Sequence, residues 1–254
     1  CLSGALCVSE LIRLPLYAFS RRKFPARLLP RINMPRIPED RRTLVVVPAV
    51  LPDKRQALQL VRHLSVLRSL SPDKNLDFML LCDLKDAKAR VEAADIDLMH
   101  AATDATLALN ETYGNSFYLF VRERTYSKTE GRYIGRERKR GALETLLSLI
   151  AGDFPRDTFA VQTADPLSLK KKYAYVITLD QDTLLLPGDA RRLIGTMEHP
   201  LQKGRVAVVQ PAMRVSPMSV STRAQRFLGG KSGVPAYALS AQDFYQDVFS
   251  RGSF

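Results

Sequence analysis

Cysteine occurs only at Cys1, Cys7 and Cys82, with no CxxC pair. An odd count without metal-ligand spacing argues against a disulfide framework and a zinc site, and a reducing compartment fits best. Histidine is equally scarce: His63, His100 and His199 are scattered, the pattern of surface or packed residues rather than ligands. There is no P-loop, no GxGxxG after an apolar run, no GxSxG and no HExxH, so the common signatures of phosphate-cradling, dinucleotide, serine-hydrolase and zinc-protease chemistry are missing. No internal repeat or low-complexity tract is found. Hydrophobic residues at 46% and charged residues at 25% are ordinary for a globular chain. A long uninterrupted apolar run is absent too. The opening CLSGALCVSELIRLPLYAFS is broken by Glu10 and Arg13, whereas a spanning helix wants about 20 residues with few charges. It also lacks a basic leader and a small-residue cleavage site. It reads either as the end of a hydrophobic helix cut by the start of the sequence or as an amphipathic surface helix.

What the chain has in excess is positive charge, a formal +12. Residues 1–42 hold nine Lys/Arg against three acids, and residues 122–140 hold eight against three, so two segments carry nearly the whole excess. A basic balance of this kind serves nucleic acid, anionic lipid or a phosphorylated substrate. RRKFPARLLPR (21–31) suits a cytoplasmic membrane surface, where each clustered Lys/Arg gains about 1 kcal/mol from anionic headgroups.

The length, 254 residues, allows one large domain or two small ones. Pro25, Pro30, Pro35 and Pro38 forbid regular helix and mark an extended linker over 25–41, which leaves 42–254 as the folded domain. TLVVVPAV (43–50), LDFMLLCD (76–83), SFYLFV (116–121), YAYVITLD (173–180) and RVAVVQP (205–211) read as strands. Between them, residues 53–70 place Leu58, Val61, Leu64, Leu67 and Leu70 on one helical face. Further helices are expected over 86–109, over 141–152 closing on Gly152, and over 187–197 opened by Pro187. This alternation predicts an α/β fold with a mainly parallel sheet covered by helices on both faces. Such sheets receive ligands at the carboxyl ends of their strands, where Pro48, Asp83 and Asp180 stand.

Asp180-Gln181-Asp182 follows an apolar run. In extended chain its two carboxylates converge on one hard cation, and Mg²⁺ or Mn²⁺ held by one or two carboxylates commonly bridges a diphosphate. A bare DxD is weak, since solvated loop acids read the same way. The DxDxT phosphatase signature is a poor fit: Thr183 follows Asp182 directly, Leu184 takes the expected threonine place, and the motif arrives late in the chain. RYIGRERKRGALETL (132–146) sets Lys139 and Arg140 beside Gly141 at the start of a helix, which makes an anion site; a solvated basic loop is the plain alternative. Nucleic-acid binding is not favoured, because only Tyr126 and Tyr133 interleave with the cations. The aromatic-rich FYQDVFSRGSF (244–254) reads as ordinary packing or as a helix running into a loop beside the site.

With these pieces in order, the chain resembles the glycosyltransferase domain of bacterial cyclic β-1,2-glucan synthases. The resemblance rests on RTLVVVP (42–48), LLCDLKDA (80–87), LNETYGNSFYLFVRER (109–124), GRERKRGALETL (135–146), YVITLDQDTLLLPGDARRLIGTMEHPL (175–201) and YQDVFSRGSF (245–254). It implies a GT-A-type, Rossmann-like nucleotide-sugar fold. It also implies a family-2-like, processive, inverting transferase that adds glucose from UDP-glucose to a growing glucan acceptor. On this resemblance Asp83 contacts the uridine, Lys139 and Arg140 the diphosphate region, Asp180 the ribose or sugar side, and Asp182 the Mg²⁺ or Mn²⁺ ion. Pro48 and Gly141 complete the donor-binding set, and Asp180 joins Asp182 as a metal ligand. The family usually has a small residue where this chain has Gln181, a position that should tolerate it. The general base of the family lies after the GSF element, so it is expected beyond Phe254, the fold is expected to be incomplete at its C-terminus, and the chain alone is expected to be inactive. Residues 1–24 then become a membrane-proximal helix at the bacterial inner membrane, with the domain facing the cytoplasm. The other reading is a non-catalytic basic module on anionic membrane or nucleic acid.

Overall fold

The computed structural model describes residues 29–153, 158–211 and 222. The 1–24 helix, residues 25–28 of the linker and the 244–254 segment lie outside the described residues; over the rest of the 25–41 linker, residues 29–38 carry neither helix nor strand and Glu39–Arg41 form one 3-10 turn. The chain forms two compact units, one of residues 33–195 and one of residues 1–32 together with 196–254.

In the first unit five strands make one sheet in the order β6-β3-β2-β1-β7. β1 (Thr43–Leu51), β2 (Leu76–Leu84), β3 (Phe117–Arg122) and β7 (Tyr175–Thr178) run parallel, and β6 (Phe159–Gln162) adds an antiparallel edge. This is the mostly parallel, Rossmann-like α/β arrangement read from the sequence. β2 is buried at all nine positions and β3 at all six, which is why both read as mainly apolar runs despite the buried charges Asp77, Asp83 and Arg122. A small hairpin, β4 (Thr125–Ser127) and β5 (Arg132–Ile134), occupies what the sequence presents as a long basic loop.

Alternate side chains enter two cores. Val45, Val47, Phe78, Leu80 and Leu119 pack against α1 (Lys54–Leu70) through Val61, Leu64 and Leu67, and against α2 (Ala93–Tyr113) through Leu98 and Ala102. On the other face Leu44, Val46, Met79, Leu81 and Phe120 pack against α3 (Arg138–Ala151) through Ala142, Leu146 and Leu149. Helices therefore cover both faces, as the strand–helix alternation requires. The Asp53 side chain caps α1 by accepting from the N–H of Gln56 at 2.9 Å. α2 starts later than the periodicity predicts. Glu92 and Asp95 form a reciprocal capping box that fixes the first turn, and 86–92 stays outside the helix. α4 (Asp189–Met197) buries Ala190 and Ile194. Burial raises the Cys82 thiol well above its ordinary value, leaving it an inert core residue.

The expected strand over 205–211 does not form. Arg205 and Val206 instead donate to the Gln202 carbonyl at 2.8 and 3.0 Å, closing a turn, and Val208 is 81% exposed. A β-branched run becomes a strand only where a ladder partner and a buried face receive it. No helix among the described residues is long and apolar enough to cross a membrane.

Candidate functional site

The carboxyl ends of β1, β2 and the segment after β7 open into a cleft of about 410 Å³ whose lining includes Pro48, Asp83, Arg138, Lys139, Asp180 and Asp182. Strand lengths create it. β7 pairs with β1 only as far as Thr178 opposite Val46, and Leu179 then donates its N–H to the Val46 carbonyl at 2.9 Å. The ladder alternates sides, so the nitrogen of Pro48, two residues on, faces the gap where β7 has already ended. A proline is tolerated in this central strand because no partner there requires its missing N–H.

The acids do not sit in extended chain. Thr183 donates its N–H to the Asp180 carbonyl at 2.9 Å, so residues 180–183 form a turn that still brings both carboxylates to the cleft. His63 on α1 braces the turn, its Nε2 lying 3.2 Å from the Thr183 carbonyl oxygen. Burial lowers the His63 pKa, against the raising influence of that carbonyl and of Asp182, so the neutral imidazole is favoured and it meets the carbonyl as an Nε2–H donor. Lys139 Nζ donates to Asp180 Oδ1 across the cleft. The two side chains are 51% and 58% exposed, so water screens this pair and it exchanges readily for other partners.

The opposite wall is the start of α3. Arg138 and Lys139 line the cleft, and Arg138 makes a two-point ion pair with Asp86 at 2.7 and 2.9 Å. Glu137 and Arg138 both adopt left-handed backbone, each with φ of 52°, at a cost of roughly 1–2 kcal/mol per residue. Strain of this kind persists only where the surroundings over-determine it. Here a buried guanidinium does so. Arg122, at the end of β3, pairs with its cross-strand neighbour Asp83 through Nε–H to Oδ1 and an Nη2–H to Oδ2, both at 2.7 Å. It also donates to the carbonyls of Arg136 at 3.1 Å and Arg138 at 3.0 Å. A Cβ on Gly135 would overlap the Asp83 carboxylate, and one on Gly141 would overlap the Arg136 carbonyl.

Gly141→Ala is therefore expected to destabilise the fold by about 1–3 kcal/mol, although alanine gains up to about 1 kcal/mol in an open helix. Urea unfolding midpoints check this, and an unchanged or raised midpoint would show that the loop relaxes freely.

Of the residues singled out by sequence, Pro48, Asp83, Lys139, Asp180 and Asp182 meet at the cleft. Arg140 turns to Glu137, which accepts from its Nε at 2.9 Å, and Gly141 is packed under the loop. Arg138, His63 and Arg122 carry roles that sequence reasoning missed. Arg122 had the same signal as Asp83 and Asp180, a charge closing an apolar run.

Two carboxylates fit a hard divalent ion only in part. Among the described residues no cluster of three or more His, Cys, Asp or Glu is placed to hold one, so oxygen ligands from a diphosphate would have to complete the shell, the usual arrangement for Mg²⁺.

No family model matches the chain. It is 34% identical over 249 residues to the cyclic beta-(1,2)-glucan synthase NdvB of Rhizobium meliloti (strain 1021). That alignment covers 91% of this chain and 9% of that protein, so the chain spans less than a tenth of the length of the curated relative it matches.

Proposed function

The chain is a domain related to the cyclic β-(1,2)-glucan synthases, and on that premise we propose that it holds the nucleotide-sugar donor, UDP-glucose, of a GT-A-type, inverting glucosyltransferase that extends a glucan acceptor. The observation that carries this reading is the meeting of Asp83, Lys139, Asp180 and Asp182 in one cleft at the carboxyl ends of parallel strands. Asp83 sits at the nucleoside end, where its carboxylate accepts an N–H of the base. At the other end Lys139 and the first turn of α3 offer positive charge to the diphosphate, assisted by the helix dipole. Asp182, with Asp180, holds Mg²⁺ or Mn²⁺, and the ion when bound neutralises charge that develops on the departing diphosphate. The transfer takes place at the cytoplasmic face of the bacterial inner membrane, with the acceptor and the general base supplied from beyond the described residues.

The test is calorimetric titration of the full chain with UDP, with Mn²⁺ and then with EDTA. Binding that requires the divalent ion supports the reading. Binding that needs no metal and falls steeply with salt would favour a basic module for polyanions.

Lys139 gives a test with opposite signs. In the structure Lys139 donates to Asp180, and with donor bound it turns to phosphate. Lys139→Met is expected to tighten binding of Mn²⁺ alone while weakening UDP about tenfold, the value of one charge-assisted hydrogen bond. Mn²⁺ spin-resonance titration and calorimetry read the two effects separately, and a loss of both would contradict the exchange of partners.

A further inference from the structure

We propose that Arg122 is the positioning residue of the cleft, a single buried side chain that aligns its nucleoside end with its diphosphate end. The inference rests on the donor-site reading above, and Arg122 itself does not line the cleft. Its guanidinium is 1% exposed and reaches both walls at once. On one wall it takes both oxygens of Asp83, a residue of the cleft lining, so that carboxylate has one orientation. On the other it binds the carbonyls of Arg136 and Arg138, which bracket the left-handed Glu137 and belong to the turn that aims Arg138 and Lys139 inward.

Three further features converge on the same group. Gly135 lies against the Asp83 carboxylate, and Gly141 lies against the Arg136 carbonyl and 3.1 Å, from an ideal Cβ position, to Arg122 Nη1. The two consecutive left-handed residues carry large side chains rather than glycine, so the loop does not take this path by local preference. A planar guanidinium supplies the fork of donors that four such bonds need, and a lysine ammonium, a point charge on a flexible stem, does not. Displacing Arg122 therefore frees Asp83 and lets the loop relax together, so both ends of the site lose their alignment.

Arg122→Lys tests this in the full 254-residue chain, because it keeps the charge and removes the fork. Three probes are titrated with Mg²⁺ present: uridine, inorganic pyrophosphate and UDP. Arg122→Lys is expected to weaken uridine and pyrophosphate each by about tenfold and UDP by about a hundredfold. Asp83→Asn is expected to weaken uridine and UDP but not pyrophosphate, and Lys139→Met pyrophosphate and UDP but not uridine. An Arg122→Lys chain with wild-type near-ultraviolet dichroism that binds all three probes normally, or loses one end only, overturns the proposal. Should Arg122→Lys fail to fold, the wild type decides. The ¹⁵Nε–H resonance of Arg122 is expected to shift on adding uridine alone and on adding pyrophosphate alone, and a resonance indifferent to either one overturns the coupling. A wild-type chain that binds none of the three probes removes the donor-site reading and this inference with it, a result distinct from loss in the variant only.

Discussion

The Asp182→Ala chain is expected to bind UDP no better with Mg²⁺ or Mn²⁺ than with EDTA, a loss of metal-dependent affinity of at least about 100-fold. Removing a partner that merely supports a metal ligand already costs about 10–100-fold, and Asp182 is read as a ligand itself. Asp180 does not make up the loss, because it leaves the ion with one protein carboxylate in place of two and the rest of its shell to be filled by phosphate and water. The fold should be untouched. Asp182 is exposed, its turn is closed by backbone atoms of Asp180 and Thr183, and substitutions at such sites usually stay within about 0.5 kcal/mol. Calorimetry in both metal conditions, with a thermal melt alongside, separates the two effects. A variant that keeps metal-dependent binding would move the ion away from the DQD turn.

The largest stability effect is expected away from the cleft, at Asp95. Its carboxylate accepts from Arg124 at 2.6 and 2.9 Å and from the Glu92 N–H at 2.7 Å, and both side chains of the pair are nearly inaccessible. Arg124 also donates to the carbonyls of Lys85 at 2.5 Å and Arg90 at 3.2 Å. It thus ties down the 85–92 segment that supplies Asp86 to Arg138. Asp95→Ala leaves a buried guanidinium without its partner and removes half of the capping box, so a loss of about 3–5 kcal/mol is expected.

The same pair shapes the acid response. Burial pushes Asp95 up, but the Arg124 and Glu92 hydrogen bonds and the Arg124 charge together outweigh it and hold the carboxyl below its ordinary value. A depressed folded value means that the contribution is complete above the ordinary aspartate range and is lost as pH falls through the folded value. Glu123 acts in the same direction, held low chiefly by the Thr158 hydroxyl and also by Arg90. The acid limb of stability against pH should therefore be shallower in Asp95→Ala than in wild type. Parallel limbs would mean that the pair has no pH-linked role.

Where sequence and structure agree, the reason is strong burial. The runs at 43–50, 76–83 and 116–121 are dominated by apolar residues because both faces of the sheet are covered, with buried Asp77 held by Arg42 and Tyr173 as the charged exception, and their carboxyl ends identify Pro48 and Asp83 as cleft residues. The DQD acids were legible for the same reason, although their geometry is a turn rather than the extended chain that alternation suggests. What stayed hidden is non-local. Nothing near Arg122 in the chain announces a carboxylate 39 residues away, and nothing near His63 announces a carbonyl 120 residues away. The inward aim of Arg138 and Lys139 rather than Arg140 depends on two left-handed residues, Glu137 and Arg138, that carry no glycine or asparagine to signal the turn. RVAVVQP shows the converse: strand-like composition that finds no ladder partner among the described residues makes no strand.

Diffraction from crystals of the chain grown with UDP and Mn²⁺, recorded at the manganese absorption edge, locates the ion, the nucleotide and Lys139 at once. One anomalous peak is expected at coordination distance from the Asp182 carboxylate and beside the phosphates, with the base next to Asp83 and Lys139 Nζ moved from Asp180 to a phosphate oxygen. A peak elsewhere, or UDP outside the cleft with Lys139 still on Asp180, would contradict the donor-site reading.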